Sequence, residues 1–216
     1  MSEKLCEKNR INVVGLGVGN IDYLTGAGIK CIKQAEILIG GERHLKDISP
    51  LLNENQEGFI LKNLSETIEF INKNRDKKIT VIVSGDTGFY SLLNYLKKNL
   101  SDFEFNTVPG ISSFQYLFAK LGESWEHYHL YSVHGRKINI TDALKNSTAG
   151  IILLTDSKNS PYIIGRILNK NNFSDVKIIV GENLSYPDEK ITEFYARDFE
   201  AHKRDYEMNV LILKKS

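Results

Sequence analysis

Five short stretches of this sequence gather Gly, Ser, Asp and Thr directly behind runs that read as strands. They are Gly15-Leu16-Gly17-Val18-Gly19-Asn20, Ser84-Gly85-Asp86-Thr87-Gly88, Pro109 to Ser113, His134-Gly135-Arg136 and Thr155-Asp156-Ser157. In parallel α/β sheets ligands bind at the carboxyl ends of strands. One such loop is ordinary; five point to a nucleotide-like ligand lying across a cleft. The spacing Gly15-x-Gly17-x-Gly19 leaves Asn20 where a dinucleotide fingerprint needs its third glycine, which disfavours NAD. Glu36 stands roughly where a ribose-binding acid would be, but a surface glutamate at a helix end is the simpler reading. No GK[ST] phosphate loop occurs. Taken alone, the Ser84–Gly88 stretch could be a tight turn in which Asp86 caps the next helix. In the company of the other loops it reads as part of a binding site.

The remaining reactive side chains suggest recognition more than covalent catalysis. Arg43 and Arg136 stand beside glycines in loops, where a guanidinium can grip a carboxylate with two parallel hydrogen bonds. His134 could orient a substrate, move a proton or satisfy a backbone carbonyl. His127 and His129 share a strand face without an evident third metal ligand and read as a surface pair. Tyr90, Phe114 and Tyr116 lie near the candidate cleft, where an aromatic ring could stack on a flat ligand. Core packing is the default for Phe114, which sits on a helical apolar stripe. Neither a nucleophile–base triad nor a metal-ligand set is evident.

The elements that must position these groups alternate between strand and helix. Ile11 to Val14, Glu36 to Ile39, Phe59 to Leu61, Ile79 to Val83 and Phe103 to Val108 read as strands. Between them, helices are expected from Leu24 to Ala35 with Thr25 as cap, and over one or two turns from Glu42 to Ile48. A third is expected from Leu64 to Lys73 with Ser65 as cap, and a fourth along Phe89, Leu92, Leu93, Leu96 and Leu100. Ile111 to Leu121 reads as a helix, His129 to Val133 as a strand and Thr141 to Asn146 as a short helix. Gly150 to Leu154 is a buried strand, and Ser160-Pro161 starts a helix with Ile163, Ile164, Ile167 and Leu168 inward. Val176 to Val180 is a strand. Lys190 to Phe199 and Met208 to Leu213 then read as strands with no helix between them, antiparallel additions to a mixed sheet. The expected class is α/β: two α/β domains with mixed, largely parallel sheets, 1–112 and 113–216.

Composition narrows the partners. The chain has 216 residues, with 28 Lys and Arg against 27 Asp and Glu, a net charge of +1. That balance argues against nucleic acid and against a polybasic membrane surface. The two cysteines, Cys6 and Cys31, form no CxxC pair, which excludes a disulfide scaffold and a Cys-rich zinc module and suits a reducing cytoplasm. Residues 1–10 lack an apolar signal core, and the longest aliphatic run, Ile151 to Leu154, is far short of a membrane span.

Together, Gly15-Leu16-Gly17-Val18-Gly19, Ser84-Gly85-Asp86-Thr87-Gly88-Phe89-Tyr90 and Pro109-Gly110-Ile111-Ser112-Ser113 resemble the motifs of the tetrapyrrole methylases. Gly41-Glu42-Arg43-His44-Leu45 and Ser132-Val133-His134-Gly135-Arg136 look like the type that methylates carbon 5 of a precorrin in cobalamin biosynthesis (CbiE). The motifs run in order from about Ile11 to about Val180. The resemblance implies class III S-adenosylmethionine (SAM) methyltransferases with the cofactor cleft between two α/β domains. It assigns Val18, Gly85, Asp86, Phe89, Ile111, Ser112 and Thr155 to SAM. It turns Arg43, His44, His134 and Arg136 toward a carboxylate-rich tetrapyrrole. Beside that assignment, Tyr90 is expected to bind the substrate through its ring, and His134 is the candidate catalytic residue for the proton lost from the methylated carbon. It also implies a homodimer, and carbon-15 decarboxylating methylation on a separate polypeptide. Two residues depart from the pattern: Val18 and Thr87 replace prolines, which removes rigidity but no reacting group. Other readings within reach are a sister methylase acting on another precorrin position, on diphthamide or on ribosomal RNA, or a SAM-binding module without catalysis.

Overall fold

The computed structural model describes residues 9–133, 138–156 and 158–215. The chain divides between Ser112 and Ser113 into two compact units. In the first, strands β1 (Arg10–Gly15), β2 (Ile37–Gly40), β3 (Glu57–Ile60), β4 (Ile79–Val83) and β5 (Glu104–Val108) form one sheet in the order β3-β2-β4-β1-β5. Every pairing in it is parallel. Helices α1 (Gly26–Gln34), α2 (Glu42–Asp47), α3 (Leu64–Lys73) and α4 (Leu93–Asn99) connect them. Parallel strands covered on both faces must be apolar throughout. β4, Ile-Thr-Val-Ile-Val, is buried at all five positions. Alternation splits the core in two. Val13, Ile37 and Val81 pack with Ile71 of α3 and Leu96 of α4, while Val14, Leu38 and Ile82 pack with Ile32 of α1.

The second unit holds helices α5 (Ser113–Leu121), α6 (Ile140–Lys145) and α7 (Pro161–Lys170). Its strands are β6 (Tyr128–Ser132), β7 (Gly150–Leu154), β8 (Lys177–Glu182), β9 (Lys190–Tyr195) and β10 (Asn209–Lys214). The sheet order is β6-β7-β10-β8-β9. β6 and β7 are parallel, and the three remaining pairings are antiparallel because the last strand inserts between β7 and β8. The result is a parallel sheet in one unit and a mixed sheet in the other.

Local chemistry explains both the agreements and the differences. Thr25 caps α1, its hydroxyl accepting from the Gly28 amide at 3.1 Å, and Ser160 caps α7 with Pro161 at its first position. α3 is capped by Asn63 and not by Ser65: the Asn63 carboxamide oxygen accepts from the amides of Ser65 at 2.8 Å and Glu66 at 3.4 Å. The periodicity from Phe89 overstates α4, which begins at Leu93. Tyr90 adopts a left-handed φ of 53°, and no helix can pass through that residue. On α7, Ile163 and Ile167 are only half-buried, and Gly165 takes an inner position where a Cβ would stand 2.7 Å from Phe199 Cβ. The strand expected over 190–199 stops at Tyr195; a 3-10 segment, Ala196–His202, folds its Phe199 into the core.

The cap assignment has a direct test. Asn63→Ala lowers stability in urea unfolding by roughly 1 kcal/mol, whereas exposed Ser65→Ala stays within about 0.5 kcal/mol. The reverse order would restore Ser65 as the cap.

Candidate functional site

In a parallel sheet all carboxyl ends lie at one edge. In the first unit that edge carries the loops after β1, β4 and β5, which leave neighbouring strands, and α2, which begins directly after β2. The first two loops bond to each other by their main chains. The Gly17 amide donates to Gly85 O at 3.1 Å and the Gly85 amide to Gly17 O at 3.0 Å. The third loop meets them closely. A Cβ on Gly15 would stand 2.6 Å from Gly85 O and 2.7 Å from the Gly110 amide nitrogen. A Cβ on Gly110 would stand 2.3 Å from Gly85 O. Only glycine permits this convergence.

Asp86 ties the junction. Its Oδ1 accepts from the Gly88 amide at 2.8 Å and its Oδ2 from the Gly110 amide at 3.3 Å. It therefore locks the second loop to the third and does not cap α4. Gly85, with φ of 63°, occupies a backbone region that a side chain would strain, and the space where its Cβ would lie meets only Ser112, at 3.9 Å. Val18, Gly85, Asp86, Phe89, Ile111 and Ser112 thus fall in one cluster of loops. Val18 and Ser112 are buried, and the amide of Phe89 donates to Asp86 O at 3.4 Å. Tyr90 is 46% exposed, strained, and in edge contact with Phe89 at 4.7 Å between centroids. A non-glycine residue held at positive φ marks a place where the surrounding structure dictates the backbone.

Arg43 and His44 lie on α2. The Arg43 guanidinium donates to His44 Nε2 at 3.1 Å. Arginine has only donors, so Nε2 accepts and the ring proton sits on Nδ1. That Nδ1 is buried and has no hydrogen-bond partner among the described residues. Burial, reinforced by the Arg43 charge and opposed by Asp47, pushes the His44 pKa down to about 4. His44 is therefore neutral at ordinary pH, with its Nδ1 proton enclosed.

In the second unit Thr155 follows β7, within hydrogen-bond distance of the Asn209 main-chain oxygen at 3.0 Å and of its Oδ1 at 2.7 Å. Sequence reasoning missed Asn209, since no local signal marks a partner 54 positions away. Phe114 and Tyr116 are buried in α5. Phe114 packs edge-on against Trp125, and the Tyr116 hydroxyl donates to Glu189 at 2.7 Å. Both are engaged within their own unit. His134 and Arg136 lie outside the described residues.

Residues 10–199 match the family model of the tetrapyrrole (corrin/porphyrin) methylases. A probable cobalt-precorrin-7 C(5)-methyltransferase of Methanocaldococcus jannaschii is 33% identical over 190 residues, covering 84% of this chain and 87% of the relative. The cobalt-precorrin-7 C(5)-methyltransferase of Salmonella typhimurium is 31% identical over 204 residues, covering 94% and 98%. The fold is also that of a solved uroporphyrin-III C-methyltransferase from Thermus thermophilus complexed with S-adenosylhomocysteine. That likeness has a TM-score of 0.75 at 17% identity and covers 95% of this chain and 97% of that one.

Two outcomes follow from the geometry. Gly110→Ala forces the three loops apart and costs roughly 1–3 kcal/mol in denaturant unfolding. His44 carries a pH signature. Between pH 6.5 and about 4 the unfolded chain takes up a proton that the folded residue refuses, so its contribution to stability falls as pH drops through that window. His44→Gln should flatten the stability–pH curve there by roughly 2–3 kcal/mol, as read by melts across the range.

Proposed function

The chain belongs to the tetrapyrrole methylases, and from that membership we propose that it is a SAM-dependent methyltransferase acting on carbon 5 of a cobalt-precorrin-7-type intermediate of cobalamin biosynthesis. The observation that carries this reading is the convergence of the Gly15–Asn20, Ser84–Tyr90 and Pro109–Ser112 loops on one glycine-lined junction tied by Asp86.

The residues of the junction suit an adenosyl donor. The side of Gly85 that carries no Cβ leaves room for a ligand to approach the main chain closely. Val18, Phe89 and Ile111 offer apolar surface, and Asp86 keeps the peptide groups in place. When bound, SAM supplies a methyl group on a sulfonium whose departure as a neutral thioether needs no protein nucleophile. The tasks left to the chain are positioning and exclusion of water. Ser112, buried and 3.9 Å from where a Cβ on Gly85 would lie, is assigned to the cofactor on the family resemblance. Thr155 is assigned to the cofactor on the family resemblance, with Asn209 fixing its hydroxyl.

The substrate side rests on Arg43, His44, Tyr90 and Arg136. A precorrin carries several carboxylates and ring nitrogens. Arg43 binds the former by charge and geometry. His44 adds no charge beside it, and exposed Tyr90 offers a ring face. His134 is assigned the proton released when the methylated carbon regains its planar bonding. We further expect a homodimer working in the cytoplasm, with carbon-15 decarboxylation on another polypeptide. Among the described residues no helix is long and apolar enough to cross a membrane.

Incubation with labelled SAM and a panel of precorrins, with and without cobalt, tests the assignment. One methyl added to one carbon-5 acceptor is expected, whereas methylation of diphthamide precursor or ribosomal RNA, or SAM binding with no transfer, would overturn it. Asp86→Ala should weaken S-adenosylhomocysteine in calorimetry by about tenfold or more, and Arg43→Gln should raise the tetrapyrrole KM more than it lowers kcat.

A further inference from the structure

A second cavity, of about 500 Å³, lies in the first unit between α1 and edge strand β5. Its volume falls in the range of small-molecule sites. Its chemistry differs from that of the loop junction. Arg10, Lys30 and Lys78 line it together with Asn12, Asn106 and Cys31, and no acidic residue lines it. None of the three cations forms an ion pair with a described residue. Glu104 stands opposite Arg10 in the strand register but outside the lining. The Glu36 carboxylate accepts from the Lys78 main-chain amide at 2.9 Å and also lies outside the lining. In a chain whose net charge is +1, three cations in one lining that holds no acidic residue form a local concentration of positive charge.

The floor is equally unusual. Toward its carboxyl ends, the sheet face under α1 is apolar, with Val14, Ile82 and Val108. Toward the other end the same face carries Asn12, Thr80 and Asn106 on three adjacent strands. Asn106 Nδ2 donates to Asn12 Oδ1 at 2.8 Å, and the Thr80 hydroxyl donates to Cys31 O at 3.3 Å. This ladder uses only part of the capacity of the carboxamides. The Asn106 oxygen accepts from no described residue, and the Asn12 amide has only a long contact to Thr80 at 3.4 Å. Asn12 and Asn106 are half-buried and line the cavity, so their unused capacity is open to a polar ligand.

We propose that this cavity binds a small organic anion, its phosphate or carboxylate gripped by Arg10, Lys30 and Lys78 and its polar body seated on the Asn12–Asn106 carboxamides. The inference is independent of methyl transfer, and either can fail without the other. A phosphate ester and a polycarboxylate present the same oxyanion chemistry, so both are probed.

Cys31 reports occupancy. Burial pushes its thiol pKa up, while the charges of Arg10 and Lys30 pull it down. An anion that covers the thiol and neutralises those charges must slow its alkylation on both counts. The experiment uses the full chain with Cys6→Ser, leaving Cys31 as the sole thiol. Iodoacetamide rates are followed against pyrophosphate, ATP and citrate at constant ionic strength, with calorimetry in parallel. Saturable protection with one ligand per chain is expected from the phosphate arm, the citrate arm or both, and the effective arm identifies the source. Arg10→Gln with Lys30→Gln should weaken binding by roughly tenfold or more. Asn106→Ala should weaken it too, which loss of charge attraction alone would not do. Equal alkylation rates in chloride and in all three probes, or protection that survives the double substitution, would overturn the proposal.

Discussion

Three main chains share a space too small for a single methyl group, and the architecture of the first unit depends on that fact. Adjacent strands in a sheet run about 4.8 Å apart, and loops leaving β4, β1 and β5 would ordinarily diverge to make room for side chains. Here Gly15 and Gly110 let the peptide groups touch, at distances where a Cβ on either would collide with backbone atoms, and Gly85 supplies the positive φ that turns its carbonyl toward both. The mutual amide–carbonyl pair between Gly17 and Gly85 then joins the first two loops as a short bridge. Asp86 holds the third by a charge-assisted bond to the Gly110 amide. A carboxylate accepting backbone amides fixes loops more firmly than a side-chain pair could, because neither amide has rotamers to lose.

That rigidity suits the chemistry assigned to the family. Displacement at a sulfonium methyl asks the protein for placement, not for a nucleophile, and a locked main-chain junction is suited to placement. The neutral His44 fits the same logic. A protonated imidazole beside Arg43 would put two cations together in a half-buried place. Burial and repulsion keep the ring neutral.

Much of this was legible because parallel strands speak plainly. Ile79–Val83 is a β-branched run buried on both faces, and β7 has the bounds that its apolar residues announce. The loop motifs were legible because glycine and aspartate are used there for conformation and hydrogen bonding. What stayed hidden was set at a distance or by competition between neighbours. Ser65 and Asn63 are both acceptable caps, and only the position where the chain turns decides between them. The helical stripe from Phe89 looks continuous, but the turn that fixes Asp86 consumes its first residues and leaves Tyr90 left-handed. The role of Asp86 itself turned on the Gly110 amide, a group that has no side chain to announce it.

The second unit solves the placement problem by another route. A parallel sheet brings only strand ends to its functional edge, so every group there must come from a loop or from the start of a helix. In the mixed sheet β10 runs antiparallel to β7, with Val210 opposite Leu154. The first residue of β10 therefore lies beside the residue that follows β7, and Asn209 meets Thr155 through both its main chain and its side chain. The start of β10 is tethered in turn. Glu182, nearly buried at the end of β8, pairs with Arg204 and accepts from the Glu207 amide at 3.4 Å. The Arg204 guanidinium lies 3.8 Å from the centre of the Tyr206 ring. These contacts to a buried carboxylate also fix the approach to β10. The strand order that departs from simple βα alternation thus gives Thr155 a fixed hydroxyl without lengthening the loop that carries it.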